Sequence, residues 1–396
     1  MTQAVTQIDI KRVAAPPEIG FDFWFVVATI TLIGFGLIMV ASASIPIAVR
    51  NGGGELYYFW RQLGALGLGL CIGGAILSTP LVVLEKLSAA ALLVGFALLF
   101  AVLIPGIGRE VNGSMRWLMI GPLTLQASEP VKLAVIVYIA GYLVRHRAQV
   151  QSEFIGFIKP IGVVTVVAML LLLEPDFGAA VVLFSTTLGM LFIGGVPLRR
   201  FIAWGFVAIA ALASLAVLAP YRMQRLMAFR DPWADPFDKG FQLTQALIAF
   251  GRGEWFGVGL GNSVQKLFYL PEVHTDFIFA VIAEELGLVG SLAVIGMFVF
   301  LFFRILRIAN YAEEVNKPFA ANIAYGVGLL IAIEAFVNIG VNMGILPTKG
   351  LTLPLISYGS NSMMSLCAAI GLVLRVSRES RGTPRPLRIA LGESGA

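Results

Sequence analysis

Ionisable side chains are scarce in this chain of 396 residues, and several of them stand inside apolar runs. Glu129 and Lys132 lie three apart, on one face of any helix that contains them, where they can pair. Asp276, Glu284 and Glu285 fall in another run; at 100° per residue Asp276 and Glu284 share a face while Glu285 is rotated away. Glu334 lies mid-run, with a hydrogen bond to Asn338 one turn on as its plainest use. A charged group at the centre of a membrane helix costs roughly 2.5 to 3.5 kcal/mol on the insertion scale, so each is a functional candidate by default. Glu174 and Asp176, which bracket Pro175 at a tight outer turn, are a further candidate set, with a solvated turn as the plain alternative. The basic residues are grouped: Arg109, Arg116 and Lys132 flank one connection and its following helix, and Arg222, Arg225, Arg230, Lys239, Arg252 and Lys266 fill another. Such groups suit an anionic ligand, or else they solvate loops and touch lipid phosphates. Of the two histidines, His146 lies between arginines at a run boundary, and His274 stands two residues before Asp276, at a helix start that Thr275 can cap. No histidine pair has zinc-ligand spacing, so no protein metal site is expected; a divalent cation (Mg or Mn) held by carboxylates and substrate phosphates stays open.

The elements carrying these residues belong to a membrane. Hydrophobic residues make up 58% of the chain and charged ones 13%, with a mean hydropathy of +0.88. A soluble domain has roughly a quarter charged residues, so a nucleic-acid binder, a cytosolic enzyme and a disordered scaffold are excluded. Ten apolar segments are long enough for helices across a core of roughly 30 Å. They fall at about 23 to 45, 61 to 79, 87 to 105, 128 to 145, 159 to 174, 177 to 194, 200 to 219, 275 to 304, 320 to 345 and 355 to 377. They are apolar all round, without the period of two that outer-membrane strands need. The expected fold is an all-α polytopic membrane protein of ten transmembrane helices, with both termini cytoplasmic. That side then holds sixteen of the 28 Lys and Arg. Its parts are a cytoplasmic segment 1–22, a membrane domain 23–378 with a large outer loop 220–274 between helices 7 and 8, and a flexible cytoplasmic tail 379–396. More than twenty residues, charged ones among them, precede the first run, and no A-x-A-like cleavage site follows a short apolar core, so a removed signal peptide is not expected. Within the outer loop, aromatics alternating with charges suit an interfacial segment, and QLTQALIAFG reads as a short amphipathic helix. Its glycine series from Gly251 to Gly261 reads as turns, since no strand precedes it and no GK[ST] follows. Gly69 and Gly73 are expected at a close helix contact. Cys71 and Cys367 lie in apolar runs and imply no disulfide framework.

The runs VNGSMRWLMIGPLTLQASEPVK, LEPDFGAAVV, GVGLGNSVQKLFYLPEVHTDFIFAVIAEELG and KGLTLPLISYGSNSMMS resemble the SEDS (RodA/FtsW) family of bacterial cell-wall proteins. The similarity covers about 20 to 378, and NSVQKLFYLPE sides with the division branch of the family. Ser360 and Asn361 stand where many relatives carry SYGG followed by serines, and Ala127 replaces a commoner proline. The resemblance implies a peptidoglycan glycosyltransferase that polymerises lipid II on the outer face of the inner membrane at the division septum. Asp276 matches the family's essential aspartate, and Glu129 and Lys132 match the charged residues facing it. Arg116, Arg222, Arg225, His274 and Ser357 complete the expected substrate contacts. Implied partners are a class B penicillin-binding protein transpeptidase, FtsI, with FtsQ, FtsL and FtsB. The residue types suit the chemistry. A sugar hydroxyl attacking an anomeric carbon that bears a lipid diphosphate needs a base and cations, but no acid, because diphosphate leaves as an anion. Asp276 is the expected base, kept ionised by Lys132; the bland alternative is a Lys132–Asp276 pair that merely locks two helices, although such pairs seldom add net stability. A lipid II flippase would need a charged path through the whole bilayer, and a non-enzymatic division scaffold would leave these groups without use.

Overall fold

A computed structural model describes residues 20–111, 114–121, 123–217, 229–238, 240–347 and 350–382. Helices α1 (Phe23–Arg50), α2 (Tyr57–Ser78), α3 (Leu81–Lys86) and α4 (Ser88–Leu103) precede a small sheet, and α5 (Ser128–Arg145), α6 (Arg147–Ser152), α7 (Phe154–Leu173), α8 (Phe177–Ile193) and α9 (Leu198–Val217) follow it. Then come α10 (Phe241–Gly253), α11 (Ile278–Glu314), α12 (Pro318–Asn342) and α13 (Ser360–Arg381). A helix overlies each of the ten apolar segments. Six of them, α1, α2, α7, α11, α12 and α13, are long and apolar enough to cross a membrane, and α4 and α8 are apolar but shorter. Many of their large apolar side chains, such as Ile30, Leu93 and Phe303, face outward, as lipid rather than water would allow.

The bundle is assembled around α12, which packs against α5, α8, α11 and α13. Small residues set the closest approaches. A Cβ on Gly73 would lie 2.6 Å from the Cys367 carbonyl, and one on Gly69 would lie 2.9 Å from the Cys367 Sγ, so α2 rests on α13 backbone to backbone. At one end Asp22 caps α1 by accepting from the Phe25 amide (2.9 Å). Its carboxylate also takes Arg304 of α11 (2.5 Å) and Arg381 of α13 (2.8 Å), which clasps the first helix to the last. Helix α13 thus runs past the boundary at 379, and 379–381 are part of the bundle; segments 1–19 and 383–396 lie outside the described residues.

Two elements differ from the expectation. The connection before α5, expected as a plain loop, is an antiparallel sheet of β1 (Gly108–Val111), β2 (Ser114–Ile120) and β3 (Leu123–Gln126), with Trp117 opposite Arg109 and Gln126. The eighth span is not one straight helix from 275. It begins at Ile278, runs to Glu314, and is broken at Gly287 (φ 67°, ψ −163°). At 1.5 Å per residue its 37 residues would span about 55 Å, well beyond a hydrocarbon core of roughly 30 Å, and the break divides it into a short and a long piece.

Candidate functional site

Asp276 lies in the turn that precedes α11, not on the helix, so it does not share a helical face with Glu284. Phe277 occupies the cap position, and Thr275, expected there, instead donates to the Glu272 carbonyl (3.1 Å) and carboxylate (2.8 Å). What fixes the turn is α12. The Asn338 and Asn342 side-chain amides both donate to the Asp276 carbonyl (2.9 Å each), and the Asn342 oxygen accepts from the Ala280 amide (3.1 Å). Asn338 also donates to the Leu351 carbonyl (2.5 Å), which brings the 350s segment to the same place. There a Cβ on Gly350 would sit 3.0 Å from Asp276 Oδ2, so glycine leaves the carboxylate its room.

The same stripe of α12 carries Glu334, one turn before Asn338. Glu334 does not bond Asn338; it accepts from Lys132, whose ammonium also bonds Glu129 (3.0 Å). Glu129 and Lys132 therefore do pair across three residues of α5, as their spacing requires, and the third member comes from α12. Lys132 is 4% exposed and Glu334 4%. The ammonium expected to hold Asp276 ionised is thus engaged by two carboxylates. Glu334, Asn338 and Asn342, at i, i+4 and i+8, set the charged triad and the Asp276 turn on one helix face.

Glu284 and Glu285 are fully buried and hold the large loop. Glu284 accepts from the Ser263 hydroxyl and from the amides of Val264 (3.1 Å) and Gln265 (3.3 Å), with Arg252 at 3.6 Å. Glu285, on the face turned away, accepts from Ser42 of α1 and from Lys266 (both 2.9 Å). The break at Gly287 makes this possible. Val258 and Gly259 amides donate to the Glu284 and Glu285 carbonyls (3.0 Å each), while Leu288 and Val289 amides donate to the Glu254 and Trp255 carbonyls (2.9 and 3.1 Å). Any Cβ at Gly287 would meet the Gly257 nitrogen at 2.4 Å. The expected amphipathic helix is α10, which buries Leu243, Ala246 and Ala249; of the glycine series expected as turns, Gly257, Gly259 and Gly261 have positive φ beyond the helix, whereas Gly251 and Gly253 belong to its last turn.

His274 is 5% exposed, with its ring against Tyr58 (4.9 Å) and Tyr358 (5.4 Å), and its carbonyl accepts from the Tyr358 amide (2.9 Å). Burial pushes its imidazole below the ordinary pKa, against the pull of Glu272, so the ring is neutral near pH 7. Ser357 is buried, its hydroxyl accepting from the Leu353 amide (2.8 Å). Arg116 is engaged elsewhere. Its guanidinium donates to the Glu174 (3.2 Å) and Pro175 (2.6 Å) carbonyls and braces the α7–α8 turn. That turn is not solvated: Glu174 is 0% exposed and Asp176 4%. Burial, with Asp176 beside it, pushes the Glu174 carboxyl up to about 8 despite Arg116. Arg222, Arg225 and Lys239 lie outside the described residues. The residues that the sequence reading passed over are Asn342, Ser42, Tyr58 and Tyr358. A polar stripe at i, i+4 and i+8 in an apolar helix was the available signal for Asn342; the others meet the site through tertiary contacts that no local spacing records.

Comparison with known proteins gives this arrangement its context. The family described as cell cycle protein, FtsW/RodA/SpoVE, matches residues 23–382. The probable peptidoglycan glycosyltransferase FtsW of Nitrosococcus halophilus is 56% identical over 91% of this chain and 93% of its own length, and that of Thioalkalivibrio sulfidiphilus is 53% identical over 93% and 92%. Among solved structures, a chain from a study of the coordination of polymerization and crosslinking by a peptidoglycan synthase complex superposes with a TM-score of 0.77 at 30% identity, covering 91% of this chain and 98% of that one. The rod shape determining protein RodA of Thermus thermophilus gives 0.67 at 27% identity, over 92% and 99%. A multi-pass helical bundle with Asp276 at the mouth of α11, matched along nearly its whole length, belongs to the FtsW/RodA/SpoVE family.

Proposed function

We infer that this chain is a peptidoglycan glycosyltransferase that polymerises lipid II into glycan strands for septal wall synthesis and releases undecaprenyl diphosphate. The relatives that share half its residues over nearly the whole length bear that activity in their names. The observation that carries the reading to particular residues is the α12 stripe, which ties the Asp276 turn to the buried triad of Glu129, Lys132 and Glu334.

In this reading Asp276 is the general base. It takes the proton of the acceptor hydroxyl as that oxygen bonds the anomeric carbon, while the bond from that carbon to the diphosphate breaks and the leaving group departs as an anion. Asn338 and Asn342 act on the backbone of Asp276, so they are positioning residues. Lys132 contacts the substrate only by exchanging one carboxylate partner for it, and the diphosphate draws its remaining cations from Arg222 and Arg225. Arg116 serves through the 174–176 turn. His274 and Ser357 line the approach. Among the described residues no three His, Cys, Asp or Glu side chains converge on a metal site. The triad carries its own cation and does not suit a second one, and no step here passes through a metal.

Ten spans, cytoplasmic termini, an outer loop at 220–274 and a place in the bacterial inner membrane at the septum complete the proposal. So does assembly with a class B penicillin-binding protein transpeptidase, FtsI, and with FtsQ, FtsL and FtsB. The test is polymerisation of labelled lipid II by the purified protein with its transpeptidase. Asp276→Asn is expected to lower the rate by about 10²- to 10⁴-fold with its thermal melting preserved. Equal polymer from wild type and variant overturns Asp276 as the base.

A further inference from the structure

A series of aromatic rings leads from the exposed start of α2 to the Asp276 turn. Tyr57 and Tyr58 have centroids 5.2 Å apart, Tyr58 and Tyr358 5.1 Å, Tyr58 and His274 4.9 Å, and Tyr358 and His274 5.4 Å. Exposure falls along it: Tyr57 is 46% exposed, Tyr58 and Tyr358 are half-buried, and His274 is buried. At the open end a depression of about 820 Å³ is lined by Gly54, Glu55, Leu56, Tyr57, Trp60 and Arg61. Arg61 donates to the Tyr57 hydroxyl (3.1 Å) with its guanidinium 5.6 Å from that ring, and Asn51 donates to the Tyr58 hydroxyl (3.3 Å). At the closed end His274 Nδ1 is buried with no hydrogen-bond partner among the described residues.

Two uses compete for such rings. Tyrosine and tryptophan at a membrane boundary sit among lipid headgroups, which accounts for Trp60 and Tyr57. It does not account for a series that turns inward, becomes steadily more buried and ends two residues from Asp276. Nor does it account for a buried ring nitrogen left unpaired, a state that costs free energy until a partner arrives. Flat rings that cover the C–H faces of pyranoses, hydroxyls between them and one guanidinium for a carboxylate are the chemistry of an oligosaccharide bearing acidic substituents.

We propose that the series from Tyr57 and Trp60 through Tyr58 and Tyr358 to His274 is a subsite for the glycan strand, holding the sugars next to the reacting end. The proposal rests on the glycosyltransferase reading and adds a binding site to it. A strand held here stays with the enzyme between additions, so the site sets product length.

The full-length protein with its transpeptidase is given labelled lipid II, and strand lengths are compared for wild type, Tyr57→Ala, Trp60→Ala and Phe100→Ala. Phe100 is an exposed ring of α4 far along the chain from these residues and serves as the control. Equilibrium binding of a labelled peptidoglycan tetrasaccharide, alternating N-acetylglucosamine and peptide-bearing N-acetylmuramic acid, is measured on the same samples. Tyr57→Ala and Trp60→Ala are expected to shorten strands several-fold and weaken tetrasaccharide binding about tenfold, which is ~1.4 kcal/mol, while Phe100→Ala changes neither. Unchanged tetrasaccharide binding in both variants overturns the subsite and leaves the rings as lipid anchors. The two readings fail separately. Wild type that makes no polymer, yet binds the tetrasaccharide through Tyr57, sinks the polymerase and keeps the saccharide site.

Discussion

Lys132 is enclosed by Glu129 and Glu334, and the cost of disturbing it depends on what is left behind. Lys132→Ala strands two carboxylates in a buried place, and breaking a buried pair in this way costs about 3 to 5 kcal/mol. Replacing all three charges together, as Glu129→Gln, Lys132→Met and Glu334→Gln, is expected to recover most of the thermal stability in detergent and none of the polymerase activity. Recovery of both would reduce the triad to packing. Glu174 gives a second test by its titration. Its folded pKa of about 8 lies above the ordinary carboxylate value of 4.5, so the folded state holds a proton that the unfolded chain gives up. Stability from this residue therefore falls as pH rises from about 4.5 to about 8 and changes no further above that. Glu174→Gln removes the loss: its melting temperature should match wild type near pH 4.5 and exceed it at pH 8. A pH-independent difference would place the effect elsewhere. At this scale the sequence disclosed which residues are costly, because a charge in an apolar run is conspicuous. It did not disclose whom they meet. The partner of Glu334 is 202 positions away in Lys132, and its helical neighbour Asn338 is spent on the Asp276 backbone.

Among the elements, the helices were legible and their interruptions were not. Long apolar runs locate helices whatever they pack against. The sheet at 108–126 escaped because its strands are four to seven residues long and hold Arg109, Arg116 and Gln126 among apolar neighbours, which reads equally as loop. The break in α11 escaped because glycine is common in membrane helices, so Gly287 gives no signal distinct from Gly290 or Gly296. Only the crossing of the 254–259 segment singles it out. Gly287→Ala places a Cβ against the Gly257 backbone and a side-chain residue at positive φ. It should undock the loop, lower the melting temperature and abolish polymerisation. Gly296→Ala, which meets nothing within 4 Å, should leave both unchanged. Equal behaviour of the two variants, read from melting curves and strand synthesis, would mean that the break does not hold the loop.

Over the whole molecule the burial is uneven. The helical core around α12 is closed, while the approach to α10 exposes Trp233 and Phe237, the latter 89% exposed, and the Trp255 and Phe256 side chains stand out from the docked 254–259 segment. Large exposed rings clustered in one stretch mark a surface that something covers, and a transpeptidase partner is the proposed cover. Polymer yield from the isolated chain should rise several-fold when that partner is added; equal yields would leave these rings to the lipid.

The clasp at Asp22 has its own consequence. One carboxylate near the beginning of the bundle receives arginines from α11 and from the last turn of α13, so the bundle closes on itself like a ring with its seam at that residue. Such a ring can be recut. A circular permutant that joins the two ends by a short flexible linker and opens at the Val315–Lys317 turn, where Asn316 has φ 59°, retains every helix intact and should insert and fold. The order in which a ribosome delivers the helices would then be separable from the order in which they pack.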